Sequence, residues 1–191
     1  VRVESTFNDS FTYPIGPVTF DYTPYGAISK EVHFILDGNE IGYSTTAVSG
    51  IPMAFTIPAQ SHGSHLFDIY MTADMNSDGE PDIWSNHIVK DIIWYDETNA
   101  APVIGCVMQE FDAKQYDTTN ITYTVYDPST ETPTVVLAVD GNVVSTQALE
   151  ASTNVWQFKT SEIGQHILTI TCGSTVKTLV ANVEKLDIEL E

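Results

Sequence analysis

The sequence predicts an all-β protein made of two copies of one β-sandwich unit, and three observations support this fold class. Short alternating runs rich in Val, Ile, Thr, Tyr and Phe recur along the 191 residues, whereas no stretch keeps a 3.6-residue apolar period over three helical turns. A hydrophobic fraction of 42% is enough to build a core in each copy. Runs in the first half also match runs in the second half, which fixes the number of copies.

The repeat is carried by strands and turns in the same order. VTFDYTP at 18–24 aligns with ITYTVYDP at 121–128, and GSHLFDIYM at 63–71 aligns with GQHILTITC at 164–172. Between these runs, EVHFIL and PTVVLAV are each followed directly by Asp-Gly-Asn. Because Asp-Gly between alternating runs is a strong hairpin signal, each half is expected to make a tight turn at this point.

Each unit is predicted to contain a first strand followed by strands B, C, E, F and G. The E strands are PMAFTIP and NVWQFKT, and the G strands are HIVKDIIWYD and VKTLVANVEKL. About seven short strands in roughly 95 residues is the size of an immunoglobulin-like sandwich. The sequence therefore predicts two tandem immunoglobulin-like β-sandwich domains at 1–98 and 99–191, with the boundary in the polar stretch DETNAAP.

Alternation within the strands predicts the side chains that form the two cores. Trp94 and Trp156 lie in strands and are expected to be core or sheet-face residues. His65 and His166 occupy equivalent positions of the repeat, so each is expected to have the same structural role in its own unit, such as an edge hydrogen bond. The inward positions are Val18, Phe20, Tyr22, Val32, Phe34, Leu36, Phe67 and Ile69 in the first unit and Ile121, Tyr123, Val125, Val135, Leu137, Val139, Leu168 and Ile170 in the second.

This organisation resembles the tandem bacterial and bacteriophage Ig-like modules that are strung along surface proteins, adhesins and phage head or tail appendages. The resemblance covers the whole chain and rests on strand pattern and turn placement. It implies a non-enzymatic spacer or adhesion role in a longer extracellular, cell-surface or virion protein, with neighbouring domains of that chain as partners. The first residues, VRVESTFNDS, resemble neither a signal peptide nor a translation start, so the chain is expected to be part of something longer.

The charge of the chain excludes several classes of partner. Seven Lys and Arg against 26 Asp and Glu give a formal net charge of −19. Nucleic acids and anionic membranes both require a positive surface, so neither is an expected partner. No apolar run is long enough for membrane insertion. Cations, host-surface proteins and neutral ligands such as glycans remain possible partners.

An acidic loop between strands F and G of the first unit is the main candidate site. Its pattern resembles the DxDxDGxxD calcium loop of integrin-type propeller repeats. Side-chain oxygens of Asp74, Asn76, Asp78 and Asp82, with the backbone carbonyl of Glu80, have the spacing that converges on one calcium ion. Gly79 permits the sharp turn that such loops need. The second unit has only a tight turn at this place.

Two further features limit the interpretation of this loop. An EF-hand needs a glutamate at its twelfth position, where this chain has Ser85, so an EF-hand is excluded. Four carboxylates within nine residues repel one another unless a cation neutralises them, and no Lys or Arg lies between Lys30 and Lys90. The alternative is a solvated hairpin tip without an ion, because Asp, Asn, Ser and Gly are also turn-forming residues. A bound ion would be structural.

Trp84 is the candidate ligand-binding residue, because a tryptophan in a loop is hard to bury. It could cover the base of the loop, pack on a neighbouring domain or stack on a sugar ring. The last possibility gives the alternative function, a carbohydrate-binding module for host or surface glycans. No catalytic residues are predicted, because a glycoside hydrolase needs two carboxylates across a cleft and units of this size offer little room for one.

The two cysteines do not form a disulfide framework. Cys172 falls on the inward face of strand F, and Cys106 lies in the first strand of the same unit. Both are expected to be buried free thiols, with a disulfide between them as the alternative.

Overall fold

The computed structural model describes residues 1–6, 11–26 and 30–186 and divides the chain into two compact units, Val1–Asp96 and Glu97–Glu191. The predicted boundary lies two residues further along, after residue 98. Within the described ranges, every regular element is a β-strand, and no helix has the length and hydropathy needed to cross a bilayer.

The described part of the first unit contains nine strands in two sheets. Its smaller sheet has the order β1-β3-β6, and its larger sheet has the order β2-β9-β7-β4-β5, with β8 paired to β7. The strands are β1 (Arg2–Ser5), β2 (Phe11–Pro14), β3 (Val18–Tyr25), β4 (Lys30–Leu36), β5 (Asn39–Ser44), β6 (Met53–Ile57), β7 (Gly63–Ala73), β8 (Ile83–Trp84) and β9 (Ile88–Tyr95).

The second unit repeats this arrangement. Its smaller sheet has the order β10-β12-β15, and its larger sheet has the order β11-β17-β16-β13-β14. The strands are β10 (Val103–Gly105), β11 (Glu110–Lys114), β12 (Thr119–Tyr126), β13 (Thr134–Val139), β14 (Asn142–Ala148), β15 (Thr153–Phe158), β16 (Gly164–Cys172) and β17 (Thr175–Glu184).

In both units one sheet corresponds to strands A, B and E, and the other to strands A′, G, F, C and C′. The A′ strand pairs in parallel with G, as β2 with β9 and as β11 with β17, while the other pairs are antiparallel. This strand order is that of an immunoglobulin-like sandwich, so the predicted fold class is confirmed. The predicted B, C, E, F and G strands all occur at their expected positions.

The C–C′ turn has the same backbone in both units. Asp37 and Gly38 have positive φ angles of 49° and 77°, and Asp140 and Gly141 have φ angles of 50° and 78°. Positive φ at both central positions defines a type I′ turn, whose twist matches that of the flanking strands. The C′ strands β5 and β14 were not predicted as separate strands, because most of their side chains are exposed and they lack an apolar alternation.

The two cores follow from the predicted alternation. Phe20, Phe34 and Phe67 are among the buried residues of the first unit, and Tyr123 and Leu168 are among those of the second. Of the sixteen predicted inward residues, Val139 alone is only partly buried, at the end of β13 beyond an irregularity in its pairing with β14. The two cores are separate hydrophobic clusters.

Cys106 and Cys172 are both buried, and both are free thiols. The Cys106 thiol donates to the carbonyl oxygens of Met108 and Thr122 at 3.3 and 3.4 Å. Burial raises the pKa of the Cys172 thiol, which keeps it protonated at neutral pH. The disulfide alternative is therefore not adopted in this structure.

Candidate functional site

The two units differ most clearly in the connection between strands F and G. In the second unit β16 ends at Cys172 and β17 begins at Thr175, so only two residues turn the chain. In the first unit β7 ends at Ala73 and β9 begins at Ile88, with the acidic loop between them. The same sandwich fold thus has a long acidic F–G loop in the first unit and a short F–G turn in the second.

The acidic loop is a hairpin of its own. Thr72 and Ala73 at the end of β7 pair with Trp84 and Ile83 of β8, and the amide of Asp82 donates to the carbonyl of Ala73 at 2.9 Å. Thr72 and Ala73 also pair with Glu31 and Lys30 of β4, so β8 lies on the other side of β7, where the pairing with β9 has ended. Residues 74–82 form the end of the hairpin and are called the acidic tip below.

The residues after β8 fasten the hairpin to the sandwich. The amide of Ser85 donates to the carbonyl of Met71, and the Ser85 hydroxyl accepts from the Met71 amide, each at 2.8 Å. Asn86 uses its side-chain amide to pair with the backbone of Val3 in β1, through two hydrogen bonds of 3.0 Å. These bonds join the loop to both sheets of the first unit, so its base is positioned by the fold.

Within the tip, Asp82 closes the hairpin. One of its carboxylate oxygens accepts from the amides of Met75 and Asn76 at 2.7 and 3.2 Å. The other accepts from the Asn76 side chain at 3.3 Å. The end of the loop is thereby drawn onto its beginning, at Met75 and Asn76.

Asp74 organises the middle of the tip. Its carboxylate accepts from the amide of Ser77 at 2.6 Å and from that of Gly79 at 2.9 Å. These backbone hydrogen bonds, first of all that from Gly79, hold the pKa of the Asp74 carboxyl below its ordinary value, so this group is anionic at neutral pH. Ser77 and Gly79 have positive φ angles of 62° and 94°, which lets successive amides point inward.

Asn76 and Asp78 each cap a short turn. The Asn76 side-chain oxygen accepts from the amide of Asp78, and an Asp78 carboxylate oxygen accepts from the amide of Glu80, both at 2.9 Å. The carboxylate of Asp78 is therefore held by a single backbone bond. The tip is folded by its own side chains and contains no basic residue.

The fit of calcium to this tip can be judged from its oxygen atoms. The donor set is the right one for a hard cation, since carboxylate, amide and carbonyl oxygens are the ligands of calcium. A carboxylate oxygen that accepts one amide hydrogen keeps a second lone pair. However, no three Asp, Glu, His or Cys side chains in the described ranges are arranged around one ion position, so an ion would require local rotation of Asp78 or Asp82.

Trp84 is exposed, as predicted, but it lies in strand β8 and not in a loop. Of its surface, 56% is accessible, and its neighbours Ile83 and Met75 are 38% and 59% accessible. Three large apolar side chains therefore stand in water around an anionic tip.

The polar face beside Trp84 was not foreseen. Thr72, which pairs with Trp84 in the β7–β8 ladder, bonds to His33. The His33 ring stacks on Tyr70 with the ring centroids 4.9 Å apart. On its other side Tyr70 stacks on His87, at 4.6 Å. No period of the sequence signals this stack, because its members come from three separate segments.

A carboxylate beside this stack has an unsatisfied oxygen. Asp68 bonds to His87 through one oxygen at 2.8 Å, while its other oxygen is buried and has no hydrogen-bond partner among the described residues. Glu40 bonds to His33 on the other side of the stack at 2.9 Å. Burial of the Tyr70 hydroxyl raises its pKa, and the charges of Glu40 and Asp68 raise it further, so Tyr70 remains a neutral hydrogen-bond donor.

The paired histidines of the repeat have one shared role, and the structure identifies their partner. In the first unit His65 bonds to the carboxylate of Asp37 at 2.7 Å and to the carbonyl of Ser61 at 3.1 Å. The second oxygen of Asp37 accepts from the amide of Leu66 at 2.8 Å. Asp37 thus ties the C–C′ turn to strand F.

The second unit repeats this His–Asp clamp with nearly identical distances. His166 bonds to Asp140 at 2.7 Å and to the carbonyl of Glu162 at 3.2 Å, and Asp140 accepts from the Ile167 amide at 2.8 Å. A carboxylate and a carbonyl can only accept, so the doubly protonated His166 ring is the form that makes both hydrogen bonds at once. The hydrogen bond to Asp140 raises the pKa of His166, and the same bond lowers that of Asp140.

Comparison with known proteins gives no family. No family model matches the sequence, and no curated protein matches it. Solved structures similar to it include the fibronectin(III)-like modules of Clostridium thermocellum CbhA, at 17% identity and TM-score 0.38 over 99% of this chain and 98% of that chain. A chimeric titin Z1Z2 tandem has 19% identity and TM-score 0.39, over 97% of this chain and 100% of the titin chain. Invasin, a bacterial integrin-binding protein, has 13% identity and TM-score 0.34, over 96% of this chain and 39% of the invasin chain. At these TM-scores the fold assignment rests on the strand order of each unit.

Proposed function

We propose that this chain is a non-enzymatic structural and interaction segment of a larger extracellular, cell-surface or virion protein, with neighbouring domains of that protein as its partners. The observation that supports this proposal is the acidic loop, which only one of two equivalent sandwiches carries and which is fastened to both sheets of that sandwich. The second unit folds with a two-residue turn at the same place, so the loop is not needed to form the sandwich. Its role is then contact or stabilisation at a domain end.

We also propose that the acidic tip binds one structural calcium ion. Asp74, Asn76, Asp78 and Asp82 would supply side-chain oxygens and Glu80 its backbone carbonyl. The ion would neutralise carboxylates that have no Lys or Arg within the tip. It would fix the hairpin that presents Trp84 and Ile83 to a partner.

Calcium binding can be measured by isothermal titration calorimetry. The unmodified chain is expected to bind one calcium ion, with a dissociation constant of about 0.1–1 mM, the range of extracellular calcium modules. Asp78→Ala is expected to weaken binding at least tenfold, because it removes a ligand held by only one backbone bond.

Asp127→Ala is the matched control for this titration. Asp127 in the second unit also caps a turn through a single residue, since its carboxylate accepts from the amide and hydroxyl of Ser129. This variant should bind calcium like the unmodified chain. Titrations without heat in the unmodified chain, or equal losses in both variants, would contradict the calcium proposal.

A carbohydrate-binding role is the second candidate, and the exposed Trp84 beside the polar face favours it. An exposed indole offers a stacking surface for a sugar ring. Reproducible binding on a glycan array that is lost in Trp84→Ala and kept in Trp84→Phe is the expected result, whereas an array without binding would remove this candidate.

A further inference from the structure

We propose that the outer face of the larger sheet of the second unit docks onto the same face of a second copy of this chain. This neutral face consists of the outward residues of segments 134–138, 143–148, 167–171 and 176–180, in β13, β14, β16 and β17. The proposal concerns a different unit from the acidic tip and stands independently of it.

The centre of the neutral face is formed by β16 and β17. Ile167, Thr169 and Thr171 alternate with buried residues along β16, and they pair with Val180, Thr178 and Val176 of β17. Val176 and Ile167 are 56% and 40% exposed. The only basic residue of these segments, Lys177, pairs with buried Ile170 and so belongs to the other side of the sheet.

The face continues across β13 and β14 to the edge of the sheet. Val136 pairs with both Thr171 and Thr146, and Ala138 pairs with Val143. Val143 is 64% exposed. Within these segments the outward residues of four adjacent strands are Val, Ile, Thr and Ala, of which Ala138 is buried. The charged residues of this sheet face lie beside them on the fifth strand, β11, which exposes Glu110, Asp112 and Lys114 next to β17.

The first unit shows that the fold does not require this composition. In its larger sheet the equivalent pairs are His33 with Tyr70 and Ile35 with Asp68, and Glu31 pairs with Thr72. The same scaffold therefore supports a face that carries charges and hydrogen-bonding rings. The lack of charged residues on the neutral face is therefore a feature of the second unit that the first unit does not share.

The neutral face favours an uncharged partner surface. A charged group placed against it would lose its hydration without gaining a counter-ion, which is costly. Two copies with a net charge of −19 repel each other, and this face lets them touch without bringing carboxylates together. A face of the same composition is available on every other copy, and a two-fold axis pairs it with itself. Sheets that pack face to face lie about 10 Å apart, with interdigitated β-branched side chains.

A polar margin limits the face at one side. The side chain of Gln165 donates to Asn182 at 3.3 Å, and Asn182 donates to the carboxylate of Glu110 at 2.8 Å. An apolar centre with a polar, hydrogen-bonded margin is the usual composition of a protein interface.

The size of the face sets the expected strength of the dimer. Four strands about 4.8 Å apart and about five residues long cover roughly 300 Å² of flat area. Stable complexes bury about 800 Å² on each partner, so the association is expected to be weak, with a dissociation constant of about 0.1–1 mM. High salt should strengthen it, because salt screens the repulsion between acidic copies.

Analytical ultracentrifugation of the unmodified chain tests this inference. Between about 10 µM and 1 mM the weight-average mass is expected to rise from monomer towards dimer, more steeply in high salt. Thr169→Glu at the centre of the face should keep the chain monomeric over this range. Val155→Glu adds the same charge at an exposed valine of β15, in the other sheet, and should leave dimerisation intact.

Amide NMR spectra of the unmodified chain provide a second measurement that needs no substitution. On dilution, the amides of β13, β14, β16 and β17 are expected to shift while those of β12 and β15 do not. A mass that stays monomeric at the highest concentration in high salt would overturn the inference. So would a dimer that both variants weaken equally, or dilution shifts confined to other strands.

Discussion

Asp140→Ala is expected to lower the free energy of unfolding of the second domain by about 2–4 kcal/mol. The substitution removes charge-assisted hydrogen bonds to the His166 ring and the Ile167 amide and leaves the buried imidazole without its main acceptor. It also places alanine at a φ of 50°, where an L-residue other than Asn or Asp is strained by about 1 kcal/mol or more. Chemical denaturation of the second domain measures the loss.

Two variants separate the causes. Asp140→Asn keeps the tolerance of positive φ and one acceptor oxygen, so it should lose about half as much stability as alanine. Asp37→Ala makes the same change in the first unit, where the clamp has the same distances, and should destabilise that domain by a similar amount. If the loss in Asp140→Ala is below about 1 kcal/mol, the clamp is not a stabilising element.

The clamp also predicts how stability depends on pH. The pKa of His166 is raised above its ordinary value of 6.5, so its contribution is full below pH 6.5 and is lost as the pH rises through the raised pKa. The pKa of Asp140 is lowered below its ordinary value of 3.8, so its contribution is full above pH 3.8 and is lost as the pH falls through the lowered value. The clamp therefore contributes most between these two pH values, and Asp140→Asn should flatten that dependence.

Calcium is expected to stabilise the first domain and to leave the second unchanged. An ion that binds only the folded state adds about 2.7 kcal/mol when its concentration exceeds the dissociation constant a hundredfold. The gain belongs to the first domain because the tip is fastened to its β7 and β1 through Ser85 and Asn86. The second domain serves as an internal control, since its F–G turn consists of Gly173 and Ser174 alone.

The sequence was informative where side-chain alternation and turn residues determine the structure. Strands β3, β12 and β16 alternate between buried and less buried residues, and Asp-Gly marks the turn after strand C. Strand G of the first unit departs from this pattern, because Ile92, Ile93 and Trp94 are buried in succession. Edge strands do not follow this rule, because one row of their backbone faces solvent and their side chains need not alternate. For that reason β5 and β14 were not predicted, and neither was the parallel pairing of β2 and β11 with the G strands.

The partners of the candidate site depend on tertiary contacts that no local pattern encodes. The shared slot of His65 and His166 predicted a structural hydrogen bond, and the Asp-Gly-Asn turn was visible in both halves. Combining these two repeated signals could have identified the His–Asp clamp. The fastening of Asn86 to Val3 and the stack around Tyr70 join segments far apart in the chain, so they required the fold.

Scanning calorimetry of a shortened hairpin tests the central claim, that the acidic tip is a calcium-dependent addition to a complete sandwich. Residues 74–82 are replaced by Asn-Gly, which closes a two-residue hairpin between Ala73 and Ile83. Without calcium, the first domain of this variant should melt close to that of the unmodified chain. With millimolar calcium, only the unmodified chain should shift upward. Equal transitions for both proteins in calcium, or a first domain that fails to fold without the tip, would contradict the claim.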